Sequence, residues 1–291
     1  MTAFSPTWLD LREPVDVASR SKRISELLAR RCRRRGSRPL RVIDLACGTG
    51  ANLRYLAPRL GGKQEWSLID KDPVLLEALP DRLAAWANTT NADFIPEGTQ
   101  AMVIRAPGVE CRVRTRVLDL ANGLEKLESG DVQLVTASAL LDLVSLHWLQ
   151  TLALSCRRLG AGVLFALNYD GRISNNPADP SDGRVRELVN RHQHTDKGFG
   201  PALGPACVRT AQQLFTGLGY QMQAEPSDWH IGAHEASLQK MLVHGWLGAA
   251  VEMAPGEIPQ LQAWSRRRDV QIENARLQLT VGHMDVAGWL P

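Results

Sequence analysis

Short apolar stretches alternate along this chain with longer segments whose apolar residues recur at helical spacing. The apolar stretches are typical of buried strands. They lie at residues 40–45, 66–69, 111–118, 132–137 and 163–168. Helices are predicted from about Asn52 and over residues 73–86 and 145–159. Strands that alternate with helices in this way predict an α/β fold, with a doubly wound, mostly parallel sheet and helices on both faces.

The segments before and after this alternation add an arm and an insertion. Apolar residues at helical spacing, followed by the stop signal Gly36, predict a helical arm over residues 5–35. Residues 174–205 are rich in Asn, Pro, Asp and Gly, the composition of a long surface loop or lid, although residues 184–191 have helical character. The insertion therefore follows the fifth strand.

The last part of the chain continues the α/β pattern. It predicts a helix at 206–218, a strand at 220–224, helices at 235–251 and 258–268 and a strand at 275–285. We therefore expect seven strands in all. The expected organisation is an N-terminal helical arm at 1–38 and one domain at 39–291, with a lid insertion at about 171–205.

Composition is that of an ordinary globular protein, with 44% hydrophobic and 22% charged residues. The five cysteines are widely spaced and form no CxxC pair, which disfavours a disulfide framework or a zinc site. The start of the sequence lacks the pattern of a secretory signal, so a cytoplasmic protein is expected. The longest apolar stretch, residues 132–156, is interrupted by Asp142, His147 and Gln150 and is better interpreted as a strand and a helix than as a membrane span.

The net charge of +3 is unevenly distributed. Residues 20–41 carry ten Lys or Arg against one acid, Glu26, which leaves 24 basic and 30 acidic residues, a net charge of −6, elsewhere. A nucleic-acid enzyme usually spreads its positive charge over a whole face. The basic segment is therefore interpreted as a solvated helix end, with contact to phosphates as the alternative.

A turn rich in small residues follows the first strand. The sequence Val42-Ile43-Asp44-Leu45-Ala46-Cys47-Gly48-Thr49-Gly50-Ala51-Asn52 lets backbone N–H groups and a helix N-terminus approach a polar ligand. It resembles motif I of class I S-adenosylmethionine (SAM)-dependent methyltransferases, where a strand ends in an acid before a small-x-Gly-x-Gly turn. The third glycine of a dinucleotide GxGxxG motif is absent. Ala46 replaces the family's first glycine, which is tolerable if its backbone is not left-handed.

The resemblance implies further donor-binding residues at the ends of the next strands. It implies that Asp70 accepts hydrogen bonds from the ribose hydroxyls, with Lys71 against adenine. It implies that Asp119 accepts from the adenine amino group and that Leu120 donates its backbone N–H to the ring. Ser138 is expected near the methionine part. The complete predicted cofactor-binding set is Asp44, Ala46, Cys47, Gly48, Gly50, Asn52, Asp70, Lys71, Asp119, Leu120 and Ser138.

Candidates for the catalytic groups lie after the fourth and fifth strands and beyond. Asp142 is a candidate general base or acceptor-binding group, or alternatively the cap of the following helix. Tyr169 lies where acceptor contacts are expected, or packs in the core, and His230 is a candidate base because imidazole titrates near neutrality. His192, His194, His230 and His234 have HxH and HxxxH spacing, but no matching Cys or carboxylate accompanies them, so no metal is predicted.

Two motifs of base-modifying methyltransferases are absent: the Asn/Asp-Pro-Pro-aromatic motif and the Pro-Cys nucleophile. The resemblance therefore implies a methyltransferase acting on oxygen or nitrogen of a small-molecule acceptor, with S-adenosylhomocysteine as product. A nucleic-acid partner and a membrane are not expected, and the protein is expected to be a monomer or homodimer. The alternatives are an RNA or protein methyltransferase that uses the Arg-rich arm, a non-catalytic SAM-binding protein and, more distantly, a nicotinamide dehydrogenase.

Overall fold

The computed structural model of the chain describes residues 5–33, 38–127 and 130–291. Its helices are α1 (Pro6–Ser19), α2 (Lys22–Arg33), α3 (Ala51–Leu60), α4 (Pro73–Thr89), α5 (Leu146–Leu159), α6 (Asp182–Gln193), α7 (Cys207–Gly217), α8 (Ala236–Met253) and α9 (Ile258–Glu273). Its strands are β1 (Leu40–Leu45), β2 (Gly62–Asp70), β3 (Asp93–Pro96), β4 (Ala101–Ala106), β5 (Val109–Val117), β6 (Leu134–Ser138), β7 (Gly162–Asn176), β8 (Gln221–Pro226), β9 (Trp229–Ile231) and β10 (Gln278–Trp289).

All these strands belong to one sheet, in the order β3-β4-β5-β2-β1-β6-β7-β10-β8, with β9 paired to β10. The five central strands from β5 to β7 are parallel, and β10 runs antiparallel between β7 and β8. The chain order changes direction at β1, where the carboxyl ends of parallel strands leave a crevice. The predicted doubly wound α/β sheet is therefore confirmed.

The predicted number of seven strands is wrong, because the sheet of the described residues has ten. Two of the additional strands, β3 and β4, extend the sheet at one edge, where β4 and β5 form an antiparallel hairpin. Pro107 and Gly108 lie in its turn, and Gly108 has a φ of +77°. This Pro-Gly pair was the available sequence signal for the hairpin. The third, β9, is only three residues long and carries no pattern of its own.

The two faces of the sheet bury separate apolar layers. Ile43, Val135 and Phe165 point to one layer, which includes residues of α5 and α7. Their strand neighbours Val42 and Leu134 point to the other, with residues of α2, α3 and α4. A third cluster joins α6, α8 and α9 to the extended ends of β7 and β10. The alternation of buried residues along β1 and β6 thus reflects a sheet covered on both faces.

The N-terminal arm consists of two helices rather than one continuous helix. Arg20, between α1 and α2, has extended backbone angles of −53° and 136°, and the Ser21 side chain accepts a hydrogen bond from Ile24 N at 3.2 Å. Arg20 is turned into the protein, where its Nε donates to Asp285 Oδ2 at 3.3 Å. The break therefore serves a buried ion pair that local sequence patterns do not reveal. The predicted stop signal Gly36 lies outside the described residues.

Basic side chains of this segment also have partners within the protein. The Arg31 guanidinium lies 4.2 Å from the Trp289 ring centre, and Arg23 pairs with Glu225 at 3.0 Å. Arg34 and Arg35 lie outside the described residues. Among the residues the structure describes, no helix is both long and apolar enough to cross a bilayer.

The segment predicted as a lid contains regular structure. Residues 171–176 continue β7, and residues 182–193 form α6, which packs on α8. The irregular part, residues 194–203, returns to the carboxyl end of the parallel strands, where Leu203 N donates to Val144 O at 2.8 Å. This part of the segment is therefore fixed beside the loop that follows β6.

We predict that Asp285→Ala lowers the free energy of unfolding by about 3–5 kcal/mol, because it leaves the buried Arg20 cation unpaired. Asp285 is fully buried and accepts from Arg20 Nε, Ser21 N and Leu167 N. Glu225→Ala, which breaks the exposed pair with Arg23, should cost less than about 1 kcal/mol. Urea unfolding of both variants and of the milder Asp285→Asn tests this. Equal losses in the Asp285 and Glu225 variants would contradict it.

Candidate functional site

The turn after β1 presents its backbone at the carboxyl edge of the sheet. Ala46, Gly48 and Gly50 all have positive φ, of 51°, 53° and 83°. A Cβ on Gly48 would meet Leu9 Cδ1 at 3.0 Å, so the helix α1 lies directly over the turn. Only glycine adopts this left-handed conformation readily and also fits the small space beneath Leu9.

From the sequence, Ala46 is expected to replace glycine without cost only if its backbone is not left-handed, and the structure does not meet this condition. Its φ of 51° is left-handed, a conformation that costs a non-glycine residue about 1–2 kcal/mol. The turn retains this conformation with Cys47 N bonded to Ile69 O at 3.0 Å and Gly50 N bonded to Cys47 O at 2.9 Å. Backbone strain of this kind persists where the surrounding structure fixes it, and it clusters at functional sites.

Asp70, at the end of β2, reaches across to this turn. Its Oδ2 accepts the backbone N–H of Gly48 at 2.8 Å, and its Oδ1 accepts that of Asp72 at 3.0 Å. The side chain is largely buried, and burial raises the pKa of Asp70 above its ordinary value. Each carboxylate oxygen has a second lone pair, so Asp70 can accept further hydrogen bonds from a ligand.

Asp44, at the end of β1, belongs to a buried polar network centred on Asn52. Asn52 Nδ2 donates to Asp44 Oδ1 at 2.8 Å and to Thr136 Oγ1 at 3.1 Å. Asn52 Oδ1 accepts from Arg20 Nη1 at 3.0 Å, which links the network to the N-terminal arm. Asp44 Oδ2 is buried and has no hydrogen-bond partner among the residues that the structure describes. Burial raises the pKa of Asp44 to about 7, against the opposing effect of the Asn52 hydrogen bond.

Two adjoining cavities open between α1 and the strand ends. Both contact Leu9, Arg12, Ala46, Gly48 and Ser138. The smaller, of about 60 Å³, is also lined by Asp16, Asp44, Cys47, Thr49, Ala51 and Asn52. The larger, of about 290 Å³, is also lined by Asp70, Lys71, Asp72, Leu75, Leu118, Leu120, Ala139, Leu140, Leu143, Lys197 and Phe199.

Charged contacts hold α1 over these cavities. Arg54 donates to Glu13 Oε1 at 2.7 Å and to the backbone oxygen of Thr49 at 2.6 Å, so it connects the helix to the glycine turn. Arg82 on α4 pairs with Asp10. Sequence reasoning missed Leu9 and Arg12 as cavity residues because nothing in their local pattern indicates which distant loop α1 covers. The Arg12 side chain pairs with Asp16, four residues along. This spacing was a local sequence signal for a helix, but not for the cavity.

The third predicted acid has a different environment from the other two. Asp119 is exposed, and its carboxylate accepts from Ala121 N at 3.0 Å and from Asn122 Nδ2 at 3.1 Å. Its neighbours Leu118 and Leu120 line the larger cavity, whereas Asp119 is not among the lining residues. The role of its side chain stays a prediction. Of the remaining predicted cofactor residues, only Gly50 also lies outside both linings, and it precedes α3 as its N-cap.

Asp142 is buried beside the cavities without lining them. Its Oδ1 has no hydrogen-bond partner, and burial raises the pKa of Asp142 to about 6. The alternative that Asp142 caps the next helix is wrong, because Ser145 caps α5 by accepting from Trp148 N at 3.3 Å. Ser145 is closer to the first turn and offers a hydroxyl in the usual N-cap position.

The other two catalytic candidates also lie outside the cavity linings. Tyr169 is buried, and its hydroxyl donates to Asn190 Oδ1 at 2.7 Å. His230 is exposed on β9, 3.3 Å from Thr280 Oγ1. The structure therefore does not bring His230 and Tyr169 to the cavity with Asp70, and their catalytic roles stay predictions.

The candidate histidines are dispersed. His192 contacts Glu252 at 3.0 Å, and His194 Nδ1 lies 3.2 Å from the backbone oxygen of Ala202. Within the ranges 5–33, 38–127 and 130–291, no group of three or more His, Cys, Asp or Glu residues is arranged to hold a metal ion.

The overall fold has a counterpart among solved structures. A cyclopropane-fatty-acyl-phospholipid synthase-like protein from Lactobacillus casei aligns with 98% of this chain and 94% of its own, at 13% identity and a TM-score of 0.51. The fold is that of the class I methyltransferases. At this identity the likeness concerns the fold alone.

Two further structures match with TM-scores below 0.5. A cyclopropane synthase from Mycobacterium tuberculosis matches at 9% identity, covering 91% of this chain and 84% of that one, with a TM-score of 0.44. A geranyl diphosphate C-methyltransferase from Streptomyces coelicolor matches at 11% identity, with 92% and 81% covered and a TM-score of 0.42. No protein-family model and no curated protein matches the sequence.

We predict that Asp44→Asn stabilises the ligand-free protein above pH 7. From about pH 4 to about pH 7 the unfolded chain, with an Asp pKa of 3.8, releases a proton that folded Asp44 retains, so wild-type stability falls across this window. The asparagine side chain of the variant cannot ionise, and the gain in unfolding free energy should rise from near zero at pH 4 to at most about 4 kcal/mol at pH 8.

Urea unfolding at each pH measures this difference. The control is Asp81→Asn, a matched change at an exposed position of α4. Parallel stability curves for wild type and Asp44→Asn from pH 4 to pH 8 would show that Asp44 ionises normally.

Proposed function

We propose that this protein is a SAM-dependent methyltransferase that acts on oxygen or nitrogen of a small-molecule acceptor. One observation carries the proposal: Asp44 and Thr49 line the smaller cavity beside the glycine turn, and each has a buried oxygen, Oδ2 and Oγ1, that finds no hydrogen-bond partner among the described residues. Buried polar atoms normally have hydrogen-bond partners, and unpartnered ones in a cavity indicate a polar ligand. The amino-acid end of SAM has the groups that these atoms require.

An ammonium group suits Asp44, and a carboxylate suits its neighbours. Asp44 Oδ2 can accept from the ammonium group, which would also favour the ionised form of a carboxyl whose pKa is raised by burial. Arg12 uses Nε and Nη2 for Asp16, so Nη1 is available to a carboxylate, as is the hydroxyl of Thr49.

The larger cavity fits the nucleoside. Asp70 lies at its edge with both oxygens already held by backbone N–H groups, so the carboxylate is oriented before a ligand binds. A carboxylate in this position accepts ribose hydroxyls in doubly wound folds. Leu75, Leu118 and Leu120 offer an apolar lining of the kind that suits an adenine ring.

SAM supplies a sulfonium methyl group, which an acceptor atom attacks in line. The protein's contribution is alignment and exclusion of water. Leu9 of α1 covers the turn, and Leu140 and Leu143 extend the apolar lining beyond Ser138. Asp142 is the proposed proton acceptor, since a buried carboxyl with a pKa of about 6 is suited to general-base work near neutrality; because it does not line the cavity, it would receive the proton through a bridging water molecule.

Incubation of the full chain with SAM and a metabolite extract is the direct test. Mass spectrometry should detect S-adenosylhomocysteine together with an acceptor heavier by one CH₂ group. SAM binding without any turnover would favour a non-catalytic SAM-binding protein, and a thermal shift with a nicotinamide cofactor but not with SAM would overturn the proposal.

We predict that Asp70→Ala weakens SAM binding by about ten- to a hundredfold, the loss expected for hydrogen bonds to a charged acceptor. Titration calorimetry measures this, and circular dichroism checks that the fold remains. Asp81→Ala removes an exposed carboxylate from α4 and should bind SAM as the wild type does. Unchanged affinity in Asp70→Ala would exclude the ribose role.

We predict that Gly48→Val abolishes SAM binding, because a side chain here meets Leu9 and blocks access to the backbone. Gly108→Val is the matched control: its φ of +77° imposes a similar backbone cost, but no atom lies within 4 Å of its Cβ position. Calorimetry on both variants distinguishes the effect of a blocked binding site from the effect of backbone strain alone. Equal SAM affinities would remove the glycine turn from the proposed site.

A further inference from the structure

Lys197 is a buried cation that the proposed donor site does not use. It lies in residues 194–203, the segment fixed beside the loop after β6, where Leu203 N donates to Val144 O and Gly204 N donates to Asp142 O. Only 8% of Lys197 is exposed, and it lines the larger cavity. It does not line the smaller cavity, where the amino-acid end of SAM is proposed to bind.

A hydroxyl and an imidazole ring hold the Lys197 ammonium in place. Nζ donates to Thr195 Oγ1 at 2.8 Å and approaches His192 Nδ1 at 3.2 Å. Thr195 donates its own proton to the His192 backbone oxygen, so its hydroxyl accepts from Lys197. The contact of His192 Nε2 with Glu252 favours the tautomer protonated at Nε2, which leaves Nδ1 as an acceptor.

No carboxylate lies within ion-pair distance of Lys197 among the described residues. The adjacent Asp196 carboxylate accepts the backbone N–H groups of Gly198 and Gly200, at 2.6 and 3.0 Å. Burial lowers the pKa of Lys197, and the opposing charge of Glu252, which contacts His192 rather than Lys197, has a smaller effect. A buried charge without a counterion is costly, and buried charges in proteins are usually paired. Nζ also lies 3.5 Å from His192 Nε2, so among the described residues the three protons of the ammonium have one hydroxyl and one imidazole ring as partners.

Apolar side chains accompany Lys197 in the same cavity. Phe199 packs edge-on against Trp148, with ring centres 5.4 Å apart, and Leu140 and Leu143 line the cavity from the loop after β6. A site with one oriented cation and apolar walls is suited to a molecule with an anionic group on an apolar body.

We propose that the methyl acceptor carries a carboxylate or phosphate group that binds Lys197, while its apolar body contacts Leu140, Leu143 and Phe199. This inference rests on the proposed methyltransferase function. It names the class of acceptor: small organic anions rather than neutral alcohols or amines. His192 and Thr195 are positioning residues, because they orient the ammonium group without contacting the acceptor.

The test uses the full chain saturated with S-adenosylhomocysteine and four probes of similar size: phenyl phosphate, benzoate, benzyl alcohol and benzylamine. Calorimetry should detect binding of the two anions and not of the alcohol or amine. Lys197→Met should weaken anion binding about tenfold or more, and Lys197→Arg should retain most of it. Comparison of phenyl phosphate with benzoate identifies which anion the site prefers.

Lys63→Met is the matched control. It removes the same charge at the start of β2, at the end of the strand away from Asp70 and the cavity, and should leave probe binding unchanged. Failure of S-adenosylhomocysteine to bind the wild type would sink the proposed function itself. If it binds, three results would overturn the acceptor class: no anionic probe binds, neutral probes bind equally well, or Lys197→Met leaves anion binding intact. Weakened S-adenosylhomocysteine binding in Lys197→Met would instead assign the lysine to the donor.

Discussion

The hydrogen bond from Gly48 N to the Asp70 carboxylate is the contact on which the site depends. It joins the ends of two neighbouring parallel strands, and it forms only because Gly48 adopts a left-handed backbone. Cys47 N bonded to Ile69 O reinforces the same junction. The carboxylate is thereby fixed before any ligand arrives, and hydrogen-bonding groups oriented in advance reduce the entropy that binding costs.

A buried network of hydrogen bonds and one ion pair connects the site to segments near both ends of the described chain. Asn52 connects Asp44 to Arg20, and Arg20 is paired with Asp285 on β10. The last strand therefore positions the N-terminal arm, and the arm contributes Leu9 and Arg12 to the cavity walls. Removal of either element would leave buried charges without partners, so the sheet and its arm form one cooperative unit.

The sequence was sufficient for those features that local pattern determines. Alternating apolar runs predicted the central parallel strands, and the glycine turn with Asp44 and Asp70 marked the carboxyl edge of the sheet.

The features that the sequence did not predict arise from contacts between distant segments. The residues that neighbour Lys197 in the sequence do not indicate that it lines a cavity. Those that neighbour Arg20 do not predict its burial at a break between two helices. Ala46 illustrates another limit, because residue identity did not disclose its left-handed backbone, which the surrounding contacts impose. Asp142 was the cap candidate taken from the sequence, and the geometry of α5 shows that Ser145 occupies this position instead.

Ionic contacts are one of the means by which α1 is attached to the elements beneath it. Glu13 with Arg54 and Asp10 with Arg82 join α1 to the elements below it, and the Asp10 pair is partly solvent-accessible. Such exposed pairs are individually weak and are screened by salt. The rest of α1 is held by buried contacts: Glu13 pairs with the buried Arg54, Val15 belongs to the third apolar cluster, and Trp229 Nε1 donates to Asp16. Salt should therefore loosen only the part of α1 near Asp10, while the buried contacts of the helix keep the cavities covered.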